Sequence, residues 1–538
     1  MMNVPVIDLF AGPGGLGEGF SRNERVRFEI AVSIEKDGMA HETLRLRSAH
    51  RSLARSGEAD RSTWELWDEL LGQTPWNVAF DTLASCGNES IETACAGARK
   101  EAWNLEMGPF NREEVSQGIR ERLKPFLRRG ALPSNLVLIG GPPCQAYSVV
   151  GRSRNRGTEG YKAEQDHRHF LYLEYLQVIR EFQPAVFIME NVKGILTSEV
   201  GDRRLFHTIT NDLRRPDVAV GGDVGLEYVL VALPKGSSGE FDPNPEDYIV
   251  KAELHGIPQA RHRVIICGVR RDVFNAAGSV KKLRQRVSPS VGEVIGDLPP
   301  LRPELSFRGK GLEWTDAFDL HLMDDALAEL RASENRRSKR VADLMERIRA
   351  RLATRRDPGF GADRLVWASQ ASGGPIKLSK WYHDRAISLL ANHQSRSHMP
   401  ADLVRYLFAS SYGHETGESP KLIDFPIKLL PKHKNVDPAS VESSIFKDRF
   451  RVQVADRCSM TVTSHIAKDG HAFIHPDPLQ CRSLTVREAA RLQTFPDSYV
   501  FLGNRTSQYT QVGNAVPPLL ASQVASVVAD VLSRAQRI

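Results

Sequence analysis

The chain has 538 residues, 41% of them hydrophobic and 26% charged, with a formal net charge of +6. That length exceeds one ordinary core, so two domains are expected, and the composition is that of a globular protein rather than a disordered or collagen-like one. No apolar run reaches the ~20 residues of a membrane span, and the N-terminus lacks a basic region and a cleavage site. The six cysteines are scattered with no C-x-x-C pair, so neither a zinc site nor a disulfide framework is expected, and the compartment is read as cytoplasmic. The mild positive balance suits a polyanionic partner.

Val4 to Phe10 is a nearly continuous apolar run, as in a strand covered on both faces. Ala11-Gly-Pro-Gly-Gly15 is a tight turn, Leu16 to Phe20 opens a helix, and a second strand, Phe28 to Ile34, ends at Glu35. A glycine turn followed about 20 residues later by an acid after the second strand is the βαβ arrangement that binds a ribose. The glycines lack the G-x-G-x-x-G spacing, and no Gly-Lys-Ser/Thr follows. A nucleoside ligand without a pyrophosphate, such as S-adenosylmethionine, therefore fits; the plainer reading is a strand–turn–helix corner. Residues 37–134 read as the second and third sheet units plus an insertion. Helical character is expected over Trp64–Leu71 and Glu101–Leu127, the third strand has no clear place, and Asp81 is a weak candidate for an adenine contact.

Leu136 to Ile139 is a short buried strand ended by Gly140 and Gly141. Two prolines stiffen the loop that leads to Cys144. Ligands of open α/β sheets bind outside the carboxyl ends of the strands, so Cys144 is either a nucleophile held at that crevice or a small buried hydrophobe. Gly151-Arg-Ser-Arg-Asn-Arg-Gly157 reads as a basic loop suited to phosphate contacts or to solvent. Phe170 to Phe182 is an amphipathic helix. Pro184 to Met189 is another strand, followed by Glu190 and Asn191. In Gln259-Ala-Arg-His-Arg263, alternation puts Gln259, Arg261 and Arg263 on one strand face, for recognition or for solvent.

From about 290 to 455 the texture changes. Asp297-Leu-Pro-Pro300 marks a boundary, and Asp324 to Leu352 is charged and helical with the basic cluster Arg336-Arg-Ser-Lys-Arg340. Lys428, Lys432, Lys434, Lys447, Arg449 and Arg451 form a second basic stretch, a candidate nucleic-acid face. The doubly wound pattern then returns. Thr485 and Glu488 have capping-box spacing, Ala489, Leu492 and Phe495 form a packing face, and a final helix, Leu519 to Leu532, should pack on the first domain through Val524, Val528 and Val531.

Six stretches in this order resemble the cytosine-C5 DNA methyltransferases. They are Asp8-Leu-Phe-Ala-Gly-Pro-Gly-Gly15, Gly141-Pro-Pro-Cys-Gln-Ala-Tyr-Ser148, Glu190-Asn-Val192, Gln259-Ala-Arg-His-Arg263, Arg487-Glu-Ala-Ala-Arg-Leu-Gln-Thr-Phe-Pro496 and Gly513-Asn-Ala-Val516. The resemblance covers the first ~270 and last ~80 residues. It implies an α/β, Rossmann-like, doubly wound methyltransferase domain (1–289 and 456–538) interrupted by a smaller target recognition domain (290–455). It also implies methyl transfer from S-adenosylmethionine to C5 of a flipped-out cytosine in a specific double-stranded DNA sequence, without a metal. The implied catalytic residues are Cys144, Glu190, Asn191, Arg261 and Arg263. The implied cofactor residues are Phe10, Ala11, Gly12, Gly14, Glu35, Pro143, Asn514 and Val516. A monomer acting beside a cognate restriction endonuclease is expected, with no membrane. Two features depart from the smaller relatives: the long stretch between Glu35 and Cys144, and Tyr147 in place of phenylalanine. The rival readings are a transfer-RNA cytosine methyltransferase and a catalytically silent DNA-binding scaffold.

Overall fold

A computed structural model describes the chain except residues 144–170, 201–202, 223–224, 238–242, 307–310, 312, 319–320, 367–376, 384–388, 432–449 and 537–538. Cys144, Tyr147, the 151–157 loop and the basic residues Lys432, Lys434, Lys447 and Arg449 lie outside the described residues. The first part of the chain runs β1 (Asn3–Leu9), α1 (Gly15–Ser21), β2 (Arg27–Glu35), α2 (Gly38–Ser56), α3 (Arg61–Gln73), α4 (Glu89–Glu101), β3 (Ala102–Asn104), α5 (Arg112–Leu123) and β4 (Val137–Gly140). It continues through α6 (Leu171–Phe182), β5 (Val186–Val192), α7 (Leu205–Arg214), β6 (Tyr228–Ala232), β7 (Ile249–Lys251) and β8 (His262–Arg270).

Among the described residues the main sheet has eight strands in the order β3-β2-β1-β4-β5-β8-β6, with β7 beside β8. The first five are parallel, and β8 runs antiparallel to β5, β6 and β7. From β1 the chain moves first to β2 and β3 on one side and later to β4 and β5 on the other. The switch of direction opens a crevice between the carboxyl ends of β1 and β4, where ligands bind in open sheets.

The strands bury both faces, which is why their sequences read as continuous apolar runs. Val4, Val6, Val137, Ile139 and Ile188 face α1 and the last helix, α13 (Pro518–Ala535), whose Val524, Val528 and Val531 lie in the same core. Ile7, Leu9, Leu138, Phe187 and Met189 face α5, α6 and α7 through Val115, Ile119, Tyr175, Ile179 and Ile209. The fold class expected from sequence is the one observed: a doubly wound α/β sheet covered on both sides.

Residues 57–101 form a helical insertion. Trp67, Leu71, Phe80, Leu83, Ile91 and Ala98 pack on Leu46, Ala49 and Leu53 of α2. Further on, α8 (His321–Ala332), α9 (Arg336–Thr354) and α10 (Pro400–Thr416) build a separate core from Leu327, Leu330, Val341, Met345, Ile348, Leu403 and Leu407. A hairpin of β9 (Gly361–Val366) and β10 (Leu389–Gln394) lies beside the insertion, where Arg364 donates to the Leu71 carbonyl at 3.0 Å and Trp76 to Asp363 at 3.2 Å. One sequence expectation is corrected here: Glu101–Leu127 is not helical throughout but a strand, a loop and α5. Asp324–Leu352 is helical as expected, in two helices, because Asn335 caps the second by accepting the Arg337 N–H.

The C-terminal part holds α11 (Val486–Leu492), α12 (Arg505–Asn514) and α13. The capping box on α11 is formed as its spacing implied: Glu488 N–H reaches Thr485 Oγ1 at 3.2 Å and Thr485 N–H reaches Glu488 Oε2 at 2.7 Å. α13 and α1 meet almost backbone to backbone. A Cβ on Gly19 would stand 2.4 Å from Ala521 Cβ and 2.4 Å from the Pro518 carbonyl. Gly19→Val therefore forces the two helices apart, and we expect a loss of at least ~2 kcal/mol in urea unfolding. Wild-type stability in that variant would show that the contact does not hold the two ends of the chain together.

Candidate functional site

The turn after β1 sits over the crevice. Phe10, Gly12 and Gly14 all have positive φ, of 55°, 58° and 95°, and Gly14 caps α1 in the left-handed region that favours glycine. Each peptide of the turn is held by a specific partner. Ala11 N–H donates to the Ile34 carbonyl at 3.1 Å, and Gly14 N–H to the Ala11 carbonyl at 2.9 Å. Gly12 N–H donates to Glu35 Oε2 at 2.8 Å, while the other carboxylate oxygen of Glu35 accepts from Asp37 N–H at 2.8 Å. Burial raises the Glu35 pKa, and the two backbone N–H groups pull it partly back. Among the described residues nothing lies within 4 Å of where a Cβ on Gly12 would stand, so the turn presents open space on that side. Asp8, two residues earlier, is fully buried, and burial holds its carboxyl well above the usual carboxylate range.

The opposite wall comes from the end of the chain. The Val516 carbonyl stands 2.2 Å from where a Cβ on Gly15 would be, so the Gly513–Val516 turn closes on α1. Asn514 is exposed at the end of α12. The register of β2 and β3 puts Asn104 opposite Glu35, and Asn104 donates to the carbonyls of Glu35 at 2.9 Å and Lys36 at 3.1 Å. Sequence reading missed Asn104 because β3 is three residues long and starts directly after a helix, leaving no apolar run. Asp81 is instead in the insertion, in the short helix Ala79–Leu83, where it faces Arg99 at 3.3 Å.

Beside the turn, β4 ends at Gly140, in register with Leu9 on one side and Met189 on the other. The loop Gly141-Pro142-Pro143 then passes over the end of β5. A Cβ on Gly141 would lie 3.1 Å from Glu190 Oε2, and Asn191 Nδ2 donates to the Pro142 carbonyl at 3.0 Å. Half-buried Pro143 is the last described residue before Cys144. Because β8 is antiparallel to β5, its first residues arrive at the same end: Ile265 pairs with Glu190 and Arg263 with Val192. Arg263 Nε then reaches Glu190 Oε1 at 3.0 Å. Burial lowers the Arg263 pKa, and the Glu190 charge opposes that shift.

Gln259 and Arg261 do not face this pair. Both are buried, and each braces the C-terminal part. Arg261 donates to the carbonyls of Val462 at 2.7 Å and Gly513 at 3.1 Å. Gln259 donates to Gln493 Oε1 at 3.0 Å and accepts from Val462 N–H at 2.8 Å. Alternation along a strand identified side chains on one face, but it carried no information on what covers that face.

A family model for C-5 cytosine-specific DNA methylase matches residues 110–222 and 240–529. The chain is 32% identical over 533 residues to the type II methyltransferase M.Bpa9945I of Bacillus paralicheniformis, covering 98% of this chain and 99% of that one. It is 25% identical to the type II methyltransferase M.AgeI of Thalassovita gelatinovora, covering 98% of this chain and 99% of that one. It is 27% identical to the DNA (cytosine-5-)-methyltransferase M.ApeKI of Aeropyrum pernix, covering 74% and 81%.

The brace made by Arg261 has a measurable weight. Arg261→Met keeps most of the apolar volume but leaves two buried carbonyls without their donor. We expect a loss of about 2–4 kcal/mol in urea unfolding. A loss below about 1 kcal/mol would show that these bonds are dispensable.

Proposed function

The chain belongs to the C-5 cytosine-specific DNA methylases, a family whose members methylate DNA cytosine with S-adenosylmethionine, and on that premise we propose the chemistry and the residues that carry it. The protein methylates C5 of a flipped-out cytosine in a specific DNA sequence through a covalent bond between Cys144 and C6. The observation that carries this reading is the Glu190–Arg263 pair at the carboxyl end of β5, against the proline loop that leads to Cys144.

C5 of cytosine is a weak nucleophile, and the assigned groups answer that problem. The Cys144 thiolate adds to C6, and electrons move through the ring toward N3. Glu190 binds the N3 edge and the amino group and delivers a proton to N3. Arg263, ion-paired to Glu190, donates to O2. C5 is then an enamine carbon able to take a methyl group. S-adenosylmethionine supplies that methyl on a positively charged sulfur. A base removes the C5 proton, the C6–S bond breaks and N3 returns its proton to Glu190. The Cys144 thiolate, the Glu190 acid and neutral 5-methylcytosine result, with the donor's sulfur left as a neutral thioether. Asn191 holds the proline loop through the Pro142 carbonyl, and Arg261 orders the neighbouring backbone.

The residues around the first turn fit the cofactor. Phe10, Ala11, Gly12 and Gly14 form the open cradle, Glu35 has lone pairs left for the ribose hydroxyls, and Asn104 stands beside it for the adenine. Pro143, Asn514 and Val516 close the other side. Cytosine in a duplex is out of reach of a thiolate, so the base is extruded, and the 151–157 loop is assigned to cover it.

The 290–455 stretch is the recognition part. On α9, Arg336, Lys339, Arg347 and Arg351 are exposed at helical spacing on the side away from buried Val341, Met345, Ile348 and Leu352. Arg340, on the same stripe, faces Glu415 at 3.3 Å. Such a row suits phosphates spaced along a strand. The type II names of the relatives support a partner endonuclease reading the same sequence.

Transfer of labelled methyl to genomic DNA, with transfer RNA in parallel, followed by base-resolution mapping, tests the activity. One recurring DNA motif is expected; label in transfer RNA alone would overturn the reading. Cys144→Ser should abolish turnover, and Glu190→Gln should lower kcat by about 10²-fold or more, the scale of a lost proton donor. Full activity in Cys144→Ser would end the covalent mechanism. For the basic row, the double variant Arg347→Gln/Arg351→Gln should reduce the salt slope of log K for DNA binding by about 2 while leaving the methylated motif unchanged. An unchanged slope would remove α9 from the DNA contact.

A further inference from the structure

The cofactor turn has a partner that the proposed mechanism does not use. Tyr499, in the loop after α11, is fully buried, and its hydroxyl donates to the Pro13 carbonyl. Its oxygen lies 2.9 Å from where a Cβ on Gly14 would stand. The Pro13 carbonyl and the Gly14 N–H belong to one planar peptide unit. The N–H end of that unit is held by the Ala11 carbonyl, and Tyr499 holds the other end. Together they set the rotation of the peptide between Pro13 and the positive-φ Gly14, where glycine leaves the backbone otherwise free to turn.

The ring that carries this hydroxyl is itself immobilised. Phe495 and Phe501 lie 4.7 and 5.4 Å away, centroid to centroid. The Arg47 guanidinium stacks over it at 4.9 Å and also binds Glu18 of α1 at 2.6 and 2.8 Å and Ser498 Oγ at 3.0 Å. Arg487 anchors the Tyr499 carbonyl at 2.7 Å. A tyrosine used only to fill a core has no need of a rigid mount that aims its oxygen at one carbonyl of a turn 486 positions earlier.

We propose that Tyr499 is a positioning residue for the methyl donor: its hydroxyl fixes the Pro13–Gly14 peptide in the orientation that S-adenosylmethionine binds. The inference rests on the reading that this turn holds S-adenosylmethionine. Tyr499→Phe keeps the ring and removes one hydrogen bond. The Kd for S-adenosylmethionine, measured by titration calorimetry on the full chain, should rise about five- to tenfold, the equivalent of one buried hydrogen bond. KM for S-adenosylmethionine should rise in step, while kcat at saturating donor and DNA changes less than threefold.

Phe501→Leu serves as the control, because it loosens the same aromatic cluster without touching the turn. It should lower Tm at least as much as Tyr499→Phe and change Kd less than twofold. An unchanged Kd in Tyr499→Phe, or equal rises in both variants, would overturn the positioning role and leave Tyr499 as packing. Wild-type protein that fails to bind S-adenosylmethionine would instead overturn the cofactor reading, and this inference with it.

Discussion

Two helices that belong to opposite ends of the chain share a contact with no room for a side chain. Gly15 and Gly19 of α1 face the Val516 carbonyl, the Pro518 carbonyl and Ala521, and the approach is so close that a methyl group would collide. The rest of the catalytic part depends on this approach. It covers one face of the central strands, brings the Gly513–Val516 turn to the crevice, and carries Tyr499 to the first turn. One face of the sheet is therefore covered only when the C-terminal segment has come back to it.

The crevice follows a consistent division of labour. Groups that face the crevice sit at strand ends, and groups that hold those ends in place are buried behind them. Glu190 and Arg263 face each other at 3.0 Å, partly exposed, while Arg261, two residues away, is sealed in and donates only to backbone. Beneath α1 the same pattern recurs, with buried Glu18 held by Arg47 and Arg22. A buried charge left without its partner is costly, so such pairs resist substitution one at a time. They add rigidity where the open glycine turn has none of its own.

Sequence reading identified elements that announce themselves locally. The parallel strands are apolar runs, the α11 capping box has its two residues at fixed spacing, and the α13 valines recur at helical period. Elements defined by their neighbours were not legible. β3 is three residues long and takes its place only by pairing with β2. Gln259, Arg261 and Arg263 alternate alike in sequence, yet the C-terminal part buries the first two and leaves the third at the site. Nothing in the sequence singles out Tyr499, because its partner lies 486 positions away. The residues of the candidate site were thus visible as types, and their separation into crevice-facing and bracing groups required the tertiary contacts.

The same long-range closure sets an order in time. A ribosome adds about 5–20 residues per second, so a chain of this length takes roughly half a minute to two minutes to emerge. Over about the second half of that interval the nascent chain already holds the glycine turn, Glu35, Cys144, Glu190 and Arg263, yet α1 still lacks the helix that covers it. One face of the central sheet stays uncovered until the α13 segment has been made and has docked. Synthesis that stops before α13 leaves the apolar face of β1 and β4 exposed, the kind of surface through which incomplete chains aggregate.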